Sequence, residues 1–131
     1  MNNSTHGFTV IEIIFVAIVI GLSSVIFFIQ KHNLEMVVSD NSSKTAINSM
    51  FYALEEVFYP TNKYYPQTIT TDILKSVDPA LFTDPNGVKI NTAGSTYSYK
   101  PTNCTDNKCK NYTLEATLNN EDNYTKTSRN N

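Results

Sequence analysis

Twenty consecutive residues, Val10 to Ile29 (VIEIIFVAIVIGLSSVIFFI), carry a single charged side chain, and no other feature restricts the fold of this chain as strongly. At about 1.5 Å per residue, a helix of that length covers the roughly 30 Å apolar core of a bilayer. The segment is therefore expected to span a membrane. A cleaved secretory signal would show a basic start, a shorter apolar core and a small-x-small cleavage site. Here the core is long, the only small cluster, GLSS at 21–24, runs into VIFFI, and no Cys stands within it to carry a lipid. From Lys31 onward Asn, Thr, Ser, Asp and Lys dominate, a composition suited to water. Of the 131 residues, those left after the apolar segment suffice for one modest domain and exclude a large enzyme core. A net charge of −2, with ten scattered basic residues, gives no electrostatic footprint for nucleic acid.

Within the apolar run stands Glu12. An ionised carboxylate deep in a bilayer costs a few kcal/mol even on lenient scales, so such a residue calls for a partner. Near the interface it can instead snorkel to water. The preceding MNNSTHG is short and polar and ends in Gly7, a flexible point directly before Phe8 that a protease at the membrane face could reach. A cut there would create an α-amino group on Phe8. Two unit charges about 4 Å apart attract by about 4 kcal/mol at an effective dielectric near 20, on the scale of the burial cost. In one helix Phe8 and Glu12 are i and i+4; the amine could equally come from another copy of the chain.

Gly7 to Glu12, G-FTVIE, followed by an apolar helix, resembles the processing and assembly signature of type IV pilins and of the pseudopilins of type II secretion and DNA-uptake machines. The resemblance implies cleavage between Gly7 and Phe8 by a prepilin peptidase, N-methylation of Phe8, and pairing of Glu12 with the Phe8 amine of an adjacent subunit. It implies as partners other copies of the chain in a helical filament, the peptidase, an assembly platform, and the membrane before assembly. The implied location is a single-pass cytoplasmic (inner) membrane protein that ends in a cell-surface filament. Departures from the family pattern are a leader with only His6 in place of Lys or Arg, and Ile29 where many relatives have Pro, so no proline is present to kink the helix there. Gly21 matches a common helix-loosening position, and with Ala17 it forms a small-xxx-small pair that lets helices approach closely; an ordinary transmembrane glycine is the plainer account.

Beyond Gln30 apolar residues recur at helical steps: Leu34, Val37, Val38, then Ile47, Met50, Phe51, Leu54, Val57 and Phe58. SDNSSKT, Ser39 to Thr45, is a weak helix former that could bend or fray the helix. Tyr59-Pro60 is expected to end it, because proline disfavours helix in the residue before it. Phe8 to Phe58 would then form a rod of about 76 Å. The apolar run is too short for several clean heptads, so packing on a sheet is expected rather than a coiled coil.

In the C-terminal half a helical turn is expected at Thr71 to Ser76, capped by Thr71. Tyr97, Tyr99 and Pro101, then Tyr112, Leu114, Ala116 and Leu118, alternate with polar residues and predict a hairpin, with VKI at 88–90 and NYTKT at 123–127 as flanking strands. The expected fold is α+β, a long N-terminal helix with a transmembrane first half packed on a small antiparallel sheet. It divides into a leader at 1–7, an assembly helix at 8–30, a soluble helical half at 31–59 and a head at 60–131. Cys104 and Cys109 lie between the two strands and read as a disulfide; zinc is the competitor, but it needs about four ligands and the two His residues, His6 and His32, lie near or in the membrane region. DPNG, Asp84 to Gly87, is turn chemistry and lacks the spacing of a calcium loop. The N-x-S/T triplets at Asn41, Asn103, Asn111 and Asn123 arise easily in a chain rich in Asn and Thr. No nucleophile–base set, phosphate loop or metal cluster emerges, so no catalytic residue, metal or cofactor is assigned and no enzymatic activity is expected.

Two functions from different classes follow. One is a pilin-like structural subunit, major or minor, or a pseudopilin, serving adhesion, motility, secretion or DNA uptake, with nucleic acid touched only indirectly. The other is an uncut single-pass membrane protein presenting a binding head, in which Glu12 merely snorkels.

Overall fold

The computed structural model describes residues 8–130. Helix α1, Val10–Tyr52, passes directly into a π-helical stretch, Ala53–Phe58, and a single turn, α2, Tyr59–Asn62. Strands β1 (Tyr65–Pro66), β2 (Tyr97–Thr105), β3 (Lys108–Ala116) and β4 (Tyr124–Thr127) follow, with a 3-10 turn at Pro79–Phe82 between β1 and β2. The fold is α+β, a long N-terminal helix packed on a small antiparallel sheet. The chain divides into two compact units between Glu35 and Met36.

The described part of the first unit is helical from Val10, and its side chains are exposed throughout. In the second unit β3 is the central strand. It pairs with β2 along one edge (Tyr97↔Ala116 through Thr105↔Lys108). On the other edge it takes β1 at one end (Tyr65↔Cys109) and β4 at the other (Ala116↔Tyr124). Asp106 and Asn107, both left-handed at φ 51° and 63°, make the two-residue connection between β2 and β3. That handedness matches the twist of a hairpin, and short polar side chains accept it readily. Alternation along the strands sends Tyr97, Tyr99, Tyr112, Leu114 and Ala116 into the core, where they meet Ala46, Ile47, Met50, Phe51 and Leu54 of the helix. The expected hairpin forms, but β3 ends at Ala116, before Leu118, and Cys104 and Cys109 lie within the strands rather than between them; NYTKT supplies β4.

Five local expectations are corrected. SDNSSKT does not fray: α1 runs through it, because its polar side chains have partners. The Asp40 carboxylate accepts the backbone N–H groups of Asn119 (2.8 Å) and Asn120 (3.0 Å), and Ser43 accepts the Tyr97 hydroxyl at 3.2 Å. Asp40 and Ser43 are themselves buried, so the inward stripe of α1 continues through polar residues, whereas Leu34, Val37, Val38 and Val57 are exposed. Pro60 does not end the helix. The Tyr59 N–H reaches the Leu54 carbonyl five residues back, and Pro60 then sits in the first turn of α2, where its missing N–H is tolerated. The chain turns at Lys63, φ 63°. Thr71–Ser76 forms turns rather than helix, and Thr70, not Thr71, accepts the N–H groups of Ile73 (3.1 Å) and Leu74 (2.9 Å). Residues 88–90 make only an isolated bridge, Thr83↔Lys89. The Asp84 side chain draws that segment into a loop by accepting the N–H groups of Asn86 (3.0 Å), Val88 (2.8 Å) and Thr96 (2.8 Å). Gly87, at φ 81°, completes the DPNG turn with its N–H on the Asp84 carbonyl at 2.9 Å.

Cys104 and Cys109 form a disulfide across the hairpin, at a register pair of β2 and β3. Closing a loop this small contributes about 2 kcal/mol through the unfolded state. Cys104→Ser combined with Cys109→Ser is therefore expected to lower the thermal midpoint by roughly 10 °C. Differential scanning calorimetry of the full chain in detergent micelles measures it, and an unchanged midpoint would show that the Asp106-Asn107 turn alone closes the hairpin.

Candidate functional site

The residues singled out by the sequence lie at the start of α1. Gly7 falls outside the described residues. Phe8 is 77% exposed and stands two residues before Val10, where α1 begins, and Glu12 lies in the first turn of that helix. Thr9 is the residue that starts the helix. Its carbonyl accepts the N–H groups of Glu12 (3.0 Å) and Ile13 (3.2 Å), and its hydroxyl lies 3.4 Å from the Glu12 N–H. Thr9-x-x-Glu12 therefore has the spacing of a capping box, with a short polar side chain before the helix and an acid at the third helical position. The Glu12 carboxylate stands in the first turn, where the unpaired N–H groups and the helix dipole favour negative charge. That spacing is legible in the sequence, and the first-turn position gives Glu12 a local role beside that of a charge in an apolar run. No cation lies within ion-pairing distance of Glu12 among the described residues.

Ala17 and Gly21 lie one helical turn apart, both exposed. The helix is continuous at Gly21, and a Cβ built there would meet nothing within 4 Å, so no contact inside this chain requires the glycine. Ser23 and Ser24 donate their hydroxyls to the carbonyls of Val19 and Ile20, each at 2.8 Å. Those bonds satisfy the only hydroxyls of the tract internally, as an apolar surrounding demands. Every large apolar side chain from Phe8 to Ile29 is exposed, Ile11 at 77% and Phe28 at 68% among them. A continuous apolar surface of this extent exceeds what a water-soluble monomer ordinarily leaves open. By length and composition this one helix, near the N-terminus, can cross a membrane.

The second unit holds polar groups that sequence periodicity did not mark. Glu55, 5% exposed, accepts from the hydroxyls of Tyr112 (2.7 Å) and Tyr65 (3.0 Å), the Arg129 backbone N–H (3.3 Å) and the Asn130 side-chain amide (3.1 Å). These partners lie on β1, β3 and the C-terminal segment, so one carboxylate ties three pieces of chain to the helix. The Asn119 N–H, together with the other donors on its carboxylate, holds the Asp40 pKa below the ordinary range, against the effect of burial. For Asp84 burial acts upward and is outweighed by the N–H groups of Thr96, Val88 and Asn86 and the Thr96 hydroxyl, so its pKa is also lowered. Among the described residues no group of His, Cys, Asp and Glu side chains could hold a metal ion. No family model, curated protein or solved structure matches the chain.

Proposed function

We propose that the chain is a type IV pilin-like structural subunit, anchored by its apolar helix, cut between Gly7 and Phe8 by a prepilin peptidase, methylated at Phe8 and polymerised through helix packing into a surface filament. The observation that carries this reading is the placement of Glu12. It is a carboxylate five residues past Gly7, at the start of the exposed apolar tract that opens α1, with no ion pair to it among the described residues. The Phe8 amine of a neighbouring copy would supply that cation. An unpaired carboxylate in a dry helix bundle would cost several kcal/mol, and this cost would set the register between subunits. Ala17 and Gly21 would allow the close approach of helices that such a bundle needs. The same account covers a major pilin, a minor pilin or a pseudopilin, serving adhesion, motility, secretion or DNA uptake.

Mass spectrometry of the N-terminus, on chain isolated from its host, tests the proposal, with N-methylated Phe8 as the expected first residue. Glu12→Gln is expected to insert normally yet abolish filaments, scored by imaging of the cell surface. A retained Met1 in the assembled state, or normal filaments from Glu12→Gln, would sink it. The second reading is an uncut single-pass anchor displaying the head, and the place of Glu12 in the first turn of the helix favours it, because the helix dipole accounts for an acid there without processing.

A further inference from the structure

We propose that the groove beside the disulfide hairpin binds a short acidic saccharide. The groove, about 590 Å³, lies wholly within the second unit, between the end of α2 and the hairpin, and its size falls in the range of small-ligand sites. Three lysines are among the residues that line it, Lys63, Lys108 and Lys110, against one acidic residue, Asp106. Local structure places them. Left-handed backbone at Lys63 turns the chain out of α2, and the tight Asp106-Asn107 turn, pinned by Cys104–Cys109, folds Lys108 and Lys110 back toward it. The ion pairs among the described residues are Lys31–Glu35, Lys44–Glu121, Lys100–Glu115 and Arg129–Glu56. None of them uses a groove lysine. In a chain of net charge −2 the groove is thus a local excess of positive charge.

The remaining lining selects the ligand class. Tyr64 lies under Lys108, whose Nζ is 5.3 Å from the ring centroid, and Tyr59 is held by stacking on Tyr65 at 4.9 Å. Tyr59 and Tyr64 thereby give the groove apolar aromatic surface, against which the C–H groups of a sugar ring can pack. Asn103, Thr105 and Asn130 offer amide and hydroxyl groups that both donate and accept, as sugar hydroxyls do. Lysine is a flexible point charge without the planar fork of arginine, suited to a carboxylate or sulfate whose position varies from ring to ring. A nucleic acid strand needs a positive track several nucleotides long, whereas the three groove lysines make one short cluster, with Asp106 beside them and Glu56 near the edge, and the other basic residues are scattered.

The test uses the full chain in detergent micelles, titrated with tetragalacturonate, with a neutral tetrasaccharide of the same linkage, and with a single-stranded oligodeoxynucleotide, followed by calorimetry. Tetragalacturonate is expected to bind, more weakly as salt rises. Lys63→Gln, Lys108→Gln and Lys110→Gln together are expected to reduce its affinity by about 10-fold or more, while Lys75→Gln with Lys89→Gln, outside the groove, leaves it unchanged. Equal binding of the neutral sugar, full affinity in the triple variant, or tighter capture of the oligonucleotide would overturn the assignment.

Discussion

Glu55→Ala is expected to destabilise the second unit by about 3 to 5 kcal/mol, which for a domain of this size lowers the thermal midpoint by on the order of 15 °C or more. The size of the effect comes from what the substitution leaves behind. Two buried hydroxyls, on Tyr65 and Tyr112, lose their acceptor, as does the Arg129 N–H, and the Asn130 amide keeps only the Tyr65 hydroxyl at 3.3 Å. Each buried donor left without a partner costs about 1 to 3 kcal/mol, beyond the hydrogen bond itself. Because the C-terminal segment is held by the same carboxylate, hydrogen exchange at Arg129 and Asn130 is expected to accelerate together with the loss of midpoint. Glu56→Ala provides the control. Glu56 is the neighbouring residue and pairs with the Arg129 guanidinium at 2.7 Å, but both side chains are more than half exposed, so the loss is expected to stay within about 0.5 kcal/mol. Glu55→Gln, which keeps one oxygen for the tyrosines but turns an amide donor toward the others, is expected to fall between the two. Equal midpoints for Glu55→Ala and Glu56→Ala in micelle-bound full chain would refute the role given to Glu55.

The contrast between those two adjacent glutamates also marks where sequence alone loses its hold on this fold. Periodicity detects apolar side chains, so it finds the Val10–Ile29 tract, the Ile47–Leu54 stripe and the alternation of β2 and β3. The Cys pair is legible because only two such residues exist and they flank a turn. A buried carboxylate carries no such mark. Asp40, Ser43 and Glu55 look in the sequence like solvent-facing helix positions, and what buries them comes from residues 10 to 80 positions away. Strand β1 spans two residues, too short for any period. The π-helical stretch arises from a shift of backbone hydrogen bonding that admits Pro60, and the usual rule for proline anticipates a break instead. The N-terminus differs in kind. The Thr9-x-x-Glu12 spacing was readable, but an acid in an apolar run draws attention to charge burial and away from capping. The groove lysines were unreadable as a group, since Lys63 and Lys108 meet only through the β1–β3 pairing.

Raising the pH well above 10 is expected to unfold the second unit cooperatively. Four of the eight tyrosines, Tyr65, Tyr97, Tyr99 and Tyr112, are at most 3% exposed. Burial is the leading reason that each of them holds its proton to higher pH than a free tyrosine. For Tyr112 the hydrogen bond to Glu55 and the charges of its neighbours add to that effect. For Tyr65 the Asn130 amide and N–H oppose it, and for Tyr97 the Ser43 hydroxyl opposes it. A raised pKa means that the folded chain binds more protons than the unfolded chain above the ordinary tyrosine value of about 10. Stability from these groups is therefore complete below that value and is lost as pH rises beyond it, by up to about 1.4 kcal/mol per pH unit for each tyrosine that stays protonated only when folded. Several groups losing stability over the same window outweigh the surface ion pairs that lysine deprotonation removes, which are worth a fraction of a kcal/mol each. Phenolate absorbance and far-ultraviolet circular dichroism followed together measure the outcome. The buried tyrosines are expected to ionise in one late step that coincides with loss of the sheet signal. Tyr112→Phe should make that loss less steep, since one linked proton is gone, although it weakens the fold at neutral pH by removing a donor to Glu55. Ionisation of all eight tyrosines in a single gradual step near pH 10 with the sheet signal intact would show that water reaches these hydroxyls, and that the core built around Glu55 is open.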